Sequence, residues 1–258
     1  MLVSFSTQCA RAKRKGGALL ILPVVAIEQA AAAIRAAEHT EHPLVIMVDA
    51  TKPLLYGLDI FISTLLNLGR SSAVQITVGA WCGPTHVAAE QAFSAGAQFI
   101  TPKQKGSREQ LISLLSWSAT RGAAQMGEVV VHPANHEHLE SLMALIHDIP
   151  LAGLFLSDEA IRVNGVINAS LIKEITTIAK LPLMVSFTED PLPKEIQRSV
   201  QAGVNGFVIE EEFDQAFTAG VRAALHNRSQ SDPLFYLSKG SLAVEEKMAR
   251  YLESLCLI

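Results

Sequence analysis

The chain has 258 residues, 49% of them apolar, and a formal net charge of -4. The length fits one domain with a sizeable core, and the apolar share excludes a disordered chain. There is no basic stripe, so nucleic acid is excluded as a main partner; no apolar run reaches the roughly 18 residues of a membrane span.

The opening segment carries a basic run, Arg11, Lys13, Arg14 and Lys15, ahead of the first expected strand. It reads as a solvated face. Its charge follows the apolar residues, which is the wrong order for a signal peptide. Cys9, Cys82 and Cys256 are far apart and suggest no disulfide framework or CxxC motif. A reduced, cytoplasmic setting is the expectation.

Short apolar, β-branched runs alternate with longer helical patterns. The first strand is expected at 18–24, followed by an alanine-rich helix at 27–39. A second strand at 44–48 ends at Asp49 and leads to a helix at 57–68. The third strand, 74–78, precedes a helix at 85–94 opened by Pro84 and Thr85. Strand four at 97–101 leads to a helix at 108–120. Strand five falls within 125–131, before a helix at 137–147. Strand six at 151–156 precedes a helix at 169–179, and strand seven at 183–187 a helix at 194–201. Strand eight at 206–209 leads to a helix at 213–226. A last helix at 242–255 lies beyond these units, over one end or a subunit contact.

Nearly pure apolar strands fit a sheet covered on both faces. Gly96 and Gly203 each end a helix just before a strand. An open doubly wound sheet also alternates in this way, but eight units in this length favour closure. The expected fold is therefore α/β, a (β/α)8 TIM barrel with an extra C-terminal helix. Residues 1–258 form a single domain, with 232–258 as a helical extension.

In such a barrel the chemistry sits at the C-terminal strand ends. Those positions offer Asp49, Thr51 and Lys52; Trp81 and Cys82; Lys103 and Lys105; Glu128, His132 and His136; Ser157, Asp158 and Glu159; Ser186, Thr188, Glu189 and Asp190; and Glu210, Glu211 and Glu212. The bias is acidic. Crowded carboxylates raise each other's pKa or recruit a cation, and they repel phosphorylated ligands. Glu211 and Glu212 also fit the first turn of a helix, where carboxylates are favoured.

A desolvated lysine can form a Schiff base, which makes Lys52 and Lys103 weak catalytic candidates beside Glu128 and Glu210. His132 and His136 have metal-pair spacing, with His138 nearby, but Pro133 and Asn135 fit a loop and a helix cap. Cys82 with His86 is a weak nucleophile-and-base pairing. His39 and His42 read as surface. Neither Gly16-Gly17 nor 79–83 forms a phosphate-cradling glycine loop.

Several tracts carry a family likeness: Leu2-Val3-Ser4, the helix spanning Ala30 to Ala37, Tyr56-Gly57-Leu58, Asp214-Gln215-Ala216-Phe217-Thr218, and Asp232-Pro233 with Tyr236-Leu237. With them the chain resembles the class II, zinc-dependent fructose- and tagatose-bisphosphate aldolase family along nearly its full length. The resemblance implies a zinc ion held by three histidines, an Asp beside the first, and phosphate loops after strands seven and eight. Counted back from Ala95-Gly96, the family's His-Leu-Asp-His-Gly motif falls on 79–83. The catalytic Asp position becomes Trp81 and the adjacent ligand position Cys82. The second ligand falls near Glu159 and the third on Ser186. The phosphate-loop positions become Phe187, Thr188 and Glu189, and the strand-eight motif falls on 208–211. A local likeness to keto-deoxy-phosphogluconate aldolases spans 78–80 to 95–100, but strand six here has no lysine for that family's Schiff base.

The resemblance thus implies a divergent member without the usual metal and catalytic residues. The expected function is a non-catalytic subunit, a pseudoenzyme, or a binder of a small metabolite. The alternative is a divergent carbon-carbon lyase acting on a sugar or keto-acid substrate. The expected ligand pocket is Asp49, Trp81, Cys82, Glu159, Ser186, Phe187, Glu189 and Glu210. A mouth plugged by Trp81 and Phe187 would argue against an enzyme. No cofactor is expected; zinc or another divalent metal belongs to the alternative, with Cys82, Glu159 and His132 as candidate ligands. A homo-oligomer is expected, because Leu242, Met248, Tyr251, Leu252 and Leu255 recur with helical spacing and the family assembles that way. A partner enzyme subunit is a further possibility, as is a small sugar or keto-acid ligand.

Overall fold

The computed structural model describes residues 1–14, 16–83, 86–102, 113–114, 117, 128–131, 151–187, 189–209, 211–226 and 231–256 (backbone alone for 102, 128–131 and 256). Eight parallel strands supply the frame. They are β1 (Leu19–Val24), β2 (Leu44–Asp49), β3 (Ile76–Cys82), β4 (Phe99–Pro102), β5 (Glu128–Val131), β6 (Gly153–Ser157), β9 (Leu183–Phe187) and β10 (Val204–Ile209). The sheet runs β1-β10-β9-β6-β5-β4-β3-β2 and closes on itself. A small antiparallel ladder, β7 (Arg162–Val163) with β8 (Val166–Ile167), follows β6 and had no counterpart in the sequence reading.

The helices are α1 (Phe5–Arg14), α2 (Ile27–His39), α3 (Leu58–Ser71), α4 (His86–Ser94), α5 (Ala169–Ala179), α6 (Pro193–Ala202), α7 (Glu212–Leu225) and α8 (Pro233–Cys256). Each of α2 to α7 follows a barrel strand. The helix expected at 108–120 lies largely outside the described residues, and the one at 137–147 wholly so. Local chemistry sets the helix boundaries. Gln29 accepts hydrogen bonds from the amides of Val25 and Ala26 at 3.0 and 3.1 Å and so opens α2. Asn168 caps α5 by accepting from the amides of Ser170 and Leu171, both at 3.1 Å.

Strand alternation divides the core into two layers. Leu44, Ile46 and Val48 face the helices, with their equivalents on other strands. Leu19, Ile21, Val45, Met47, Trp81, Phe99, Phe155, Met184 and Val208 fill the barrel itself. α1 was not foreseen as a helix. Its basic residues at 11–14 are at least partly exposed, but Phe5, Cys9 and Ala12 recur on its other face and belong to the barrel-filling layer. Phe5 stacks on Phe99 with ring centroids 4.4 Å apart. A Cβ at Gly79 would lie 2.3 Å from the Phe99 ring, so glycine makes the room that the stack occupies. Arg11, Lys13 and Arg14 form the solvated side of a helix that closes the N-terminal end of the barrel.

Two boundaries differ from the sequence reading in a way that matters. β3 continues to Cys82 rather than stopping at 78, so Trp81 and Cys82 are strand residues with opposite faces. The last helix starts at Pro233, and its second half is part of the main core: Val244, Met248, Leu252 and Leu255 are buried there. It packs on α7, α2 and β1. α7 buries only Phe213 among its side chains.

Candidate functional site

Continuing each strand's inward face to its C-terminal end assembles the mouth. After Val45 and Met47 comes Asp49; after Phe99 comes Thr101; after Phe155 comes Ser157; after Met184 comes Ser186. Trp81 lies on the same inward face of β3, paired in register with Asp49 on one side and Thr101 on the other. Ser157 and Ser186 are in register on adjacent strands. Glu210 lies outside the described residues, as do Lys103, Lys105, His132, His136 and Thr188. Glu128 is placed on β5 opposite Phe99 by its backbone alone.

Among the described residues the ring is therefore one carboxylate, one indole and three hydroxyls. Asp49 is buried and accepts from the Thr51 amide at 3.0 Å and from the Thr51 hydroxyl at 2.5 Å. Thr101 is fully buried, and its Oγ1 has no hydrogen-bond partner among the described residues. A cavity of about 270 Å³ opens beside Trp81, lined by Pro23, Asp49, Lys52, Glu211 and Asp214 among others. Asp214 accepts from Gln29 at 2.7 Å, which joins the start of α7 to the start of α2 across that cavity. Lys52 is the sole lining cation among the described residues.

A larger cavity, about 770 Å³, lies at the opposite end, lined by Lys13, Lys180, Thr176, Thr177, Gly203 and Asn205 among others. It collects the C-terminal ends of α1, α5 and α6. Cations there answer the negative ends of helix dipoles, so the lysines do not by themselves make an anion site. The strand-end mouth is the better candidate despite its smaller volume.

The proposed ligand pocket divides in two. Asp49, Trp81 and Ser186 point into the barrel. Cys82 points the other way, into the layer between sheet and helices, and is fully buried. Its thiol donates to the Thr101 carbonyl at 3.6 Å, and burial pushes its pKa up to about 12. Such a thiol stays protonated near neutrality, whereas a metal ligand must be a thiolate. Glu159 is exposed on a short 3-10 helix, Asp158–Ile161. Glu189 is exposed beyond β9. Cys82, Glu159 and Ser186 thus face three different surroundings and do not form a zinc-binding set. Among the described residues no three His, Cys, Asp or Glu side chains gather as a metal site.

Phe187 was among the residues expected to line the ligand pocket, and a plug formed by it with Trp81 would have argued against an enzyme. Instead it belongs to the outer layer, 5.8 Å from the Phe207 ring centroid, because it follows the inward-facing Ser186.

Sequence reasoning missed two charged clusters around the mouth. Arg162 donates from Nε to Asp158 at 2.8 Å and from a terminal nitrogen to Glu195 at 2.6 Å, and its guanidinium lies over the Phe187 ring at 5.8 Å. Partial burial opposes the arginine charge, but the bonds to Glu195 and Asp158 outweigh it and hold the Arg162 pKa above its ordinary value. Glu195 is likewise opposed by burial, and its bonds from Arg162 and the Leu192 amide bring its pKa below the ordinary one. The four-residue spacing of Asp158 and Arg162 was a legible signal. The second cluster had none: Tyr251 of α8 donates to Asp190, and Lys247 bonds Glu212 and lies 3.8 Å from Asp190. Burial and the neighbouring Asp190 raise the Tyr251 pKa, so the phenol stays protonated. Two of the acidic groups seen in the sequence are thus partnered by the last helix.

No family model and no curated protein matches the chain. Solved structures do. The YdjI aldolase from Escherichia coli K12 aligns with TM-score 0.84 at 16% identity, covering 99% of this chain and 97% of that one. A putative fructose-1,6-biphosphate aldolase from Coccidioides immitis aligns at 0.77 and 18% identity, covering 97% and 94%. The fructose-bisphosphate aldolase from Campylobacter jejuni aligns at 0.79 and 15% identity, covering 99% and 96%. At these identities the likeness is one of fold, and that fold is the one the sequence resemblance implied.

Proposed function

We propose, taking the fold shared with these aldolases as premise, that the protein is a pseudoenzyme barrel that binds a small sugar or keto acid at its mouth. It does not carry out zinc-dependent aldol cleavage. The observation that carries this reading is the end of β3, where Trp81 stands inside the barrel and Cys82 behind the sheet. A proton-transfer carboxylate and a metal ligand would both have to act from those two positions. An indole supplies an apolar wall with one N–H donor. A buried, protonated thiol on the far face supplies neither charge nor a ligand to the mouth.

The remaining ring suits a neutral or weakly charged polyol. Asp49 accepts hydroxyl protons, and Thr101, Ser157 and Ser186 both donate and accept. The acidic lining at Glu211 and Asp214 disfavours a bisphosphate. The reading includes a complete eightfold barrel, a cytoplasmic setting in which Cys9 and Cys82 remain thiols, and a role as a binding subunit beside an active enzyme.

A second reading, a divergent carbon-carbon lyase, rests on Lys52, which lines the same cavity as Asp49. One experiment separates the two. The protein is incubated with zinc and with fructose or tagatose bisphosphate, and triose phosphate is measured alongside thermal shifts with unphosphorylated sugars and keto acids. The pseudoenzyme reading expects no turnover above buffer and a shift abolished by Asp49→Asn. Turnover lost on Lys52→Met would establish the lyase instead.

A further inference from the structure

The cavity of about 770 Å³ at the N-terminal end of the barrel differs in chemistry from the one at the mouth. Its volume falls within the ordinary range for small-molecule sites, roughly 300–1,000 Å³. It lies between α1 and the C-terminal ends of α5 and α6, and neither Phe5 nor Phe99 lines it. Among the described residues its lining holds two lysines, Lys13 and Lys180, and no carboxylate. The mouth cavity has the opposite balance, with Asp49, Glu211 and Asp214 against Lys52.

The lysines are not consumed by the helix ends beside them, because backbone amides close those ends. Gly16 and Gly17 donate to the Lys13 and Ala12 carbonyls, both at 3.1 Å. The Lys180 amide donates to Thr176 at 3.1 Å, and the Gly203 amide to Val200 at 3.0 Å. The Lys13 and Lys180 ammonium groups have no hydrogen-bond or ion-pair partner among the described residues. Each uncapped helix end carries about half a unit of negative charge, so two full positive charges exceed the three ends together. The sheet adds a third group. Val204 pairs with Leu183 and Gly206 with Met184, so Asn205 stands out of register in β10. Such an irregularity re-aims a side chain. The Asn205 Oδ1 accepts from the Leu183 amide at 3.0 Å, which leaves its NH2 as a donor at the cavity wall. Thr176 and Thr177 already donate to the Lys173 carbonyl at 3.0 and 2.7 Å, so they offer acceptors to a ligand's hydroxyls. Cys9, Ala152 and Val204 add a buried, apolar part of the lining.

We propose that this cavity binds an organic phosphate, a second ligand site at the end of the barrel remote from the mouth. Lys13 and Lys180 hold the phosphate, Asn205 donates to it, and the hydroxylated body of the ligand faces Thr176 and Thr177. A phosphate near its dianionic form balances two ammonium charges, where a carboxylate balances only one. The space is several times what inorganic phosphate alone would fill, so the ligand has an organic body. The acidic mouth repels such an anion, and the basic cavity attracts it. This inference is independent of what the mouth binds.

Calorimetric titration tests it, with glucose 6-phosphate and glycerol 3-phosphate as probes and glucose, glycerol and inorganic phosphate beside them. At least one organic phosphate should bind saturably, with Kd at or below about 1 mM, and inorganic phosphate more weakly. Lys13→Gln and Lys180→Asn should each weaken that binding at least about tenfold. Both lysines are exposed, so the variants should melt as the wild type does. Asparagine is chosen at 180 because the backbone there is left-handed, with φ 52°. No saturable binding of either organic phosphate would overturn the proposal, as would equal affinity for inorganic phosphate. Binding that survives both lysine substitutions but is lost on Lys52→Met would place the anion at the mouth and overturn it as well.

Discussion

The two ends of this barrel are built from opposite materials. At the N-terminal end, α1 inserts Phe5 against Phe99, in space that Gly79 leaves free. At the C-terminal end, the same inward faces finish in Asp49, Thr101, Ser157 and Ser186 around Trp81. At one end stacked aromatic rings fill the barrel interior. The other keeps polar groups, with the Thr101 hydroxyl unpartnered among the described residues and a cavity beside them. The difference teaches that stability and ligand capacity are held in separate layers of one core, so the mouth can change its chemistry without loss of the fold.

Substitutions at the two ends should therefore separate. The largest effect is expected at the closed end. Gly79→Val forces a branched side chain into the Phe99 ring and should cost more than about 3 kcal/mol, enough to prevent folding in a domain of ordinary stability. Phe5→Ala should cost about 3–4 kcal/mol by leaving a cavity beneath Phe99. Urea unfolding measures both, and a cost below about 1 kcal/mol for Phe5→Ala would show that α1 does not close the barrel.

Next is the Arg162 cluster on the rim. Arg162→Met removes the charged bonds to Asp158 and Glu195 and should cost about 2 kcal/mol, below the range for fully buried pairs because Arg162 is 22% exposed. The pH dependence has a definite sign. The Glu195 pKa is lowered in the folded state, so its contribution is present above the ordinary carboxylate range and is lost as pH falls through the lowered value. The Glu38 pKa is lowered too, first by the Ala73 amide and then by the Ser72 hydroxyl, and acts in the same direction. Acid unfolding of Glu195→Gln should begin from a lower stability and show a shallower pH slope. An unchanged slope would remove Glu195 from the account.

The smallest effect is expected at the open end. Thr101→Val keeps the shape and removes an unpaired buried hydroxyl, so stability should stay level or rise by up to about 1 kcal/mol. Affinity for a polyol should fall in the same variant. A clear loss of stability would mean that the hydroxyl is already satisfied in the ligand-free protein.

Much of the frame was legible because it rests on local periodicity. Helix 169–179 and strand 183–187 fall where the pattern placed them, since apolar spacing and the flanking cap or glycine act over a few residues. The end of β3 was misjudged because Gly79 interrupts the apolar run there. Its reason is tertiary, the Phe99 ring, and no local rule records it. α1 was overlooked because its basic residues outweigh Phe5, Cys9 and Ala12 in composition. At the mouth, Asp49 and Ser186 were readable as inward strand-end residues. Cys82 and Phe187 were not, because a one-residue change of parity moves a side chain from the barrel to the helix layer. Lys247 and Tyr251 reach the mouth from a helix about sixty residues away in sequence from Asp190, and no spacing rule reports that.

The central claim is that the end of β3 cannot supply a zinc ligand to the mouth. Its most direct test is metal analysis of protein purified, loaded with zinc and dialysed, alongside Cys82→Ala. The account predicts zinc well below one per chain, with no difference between the two proteins. A zinc content of about one per chain in the wild type, lost in Cys82→Ala, would contradict it.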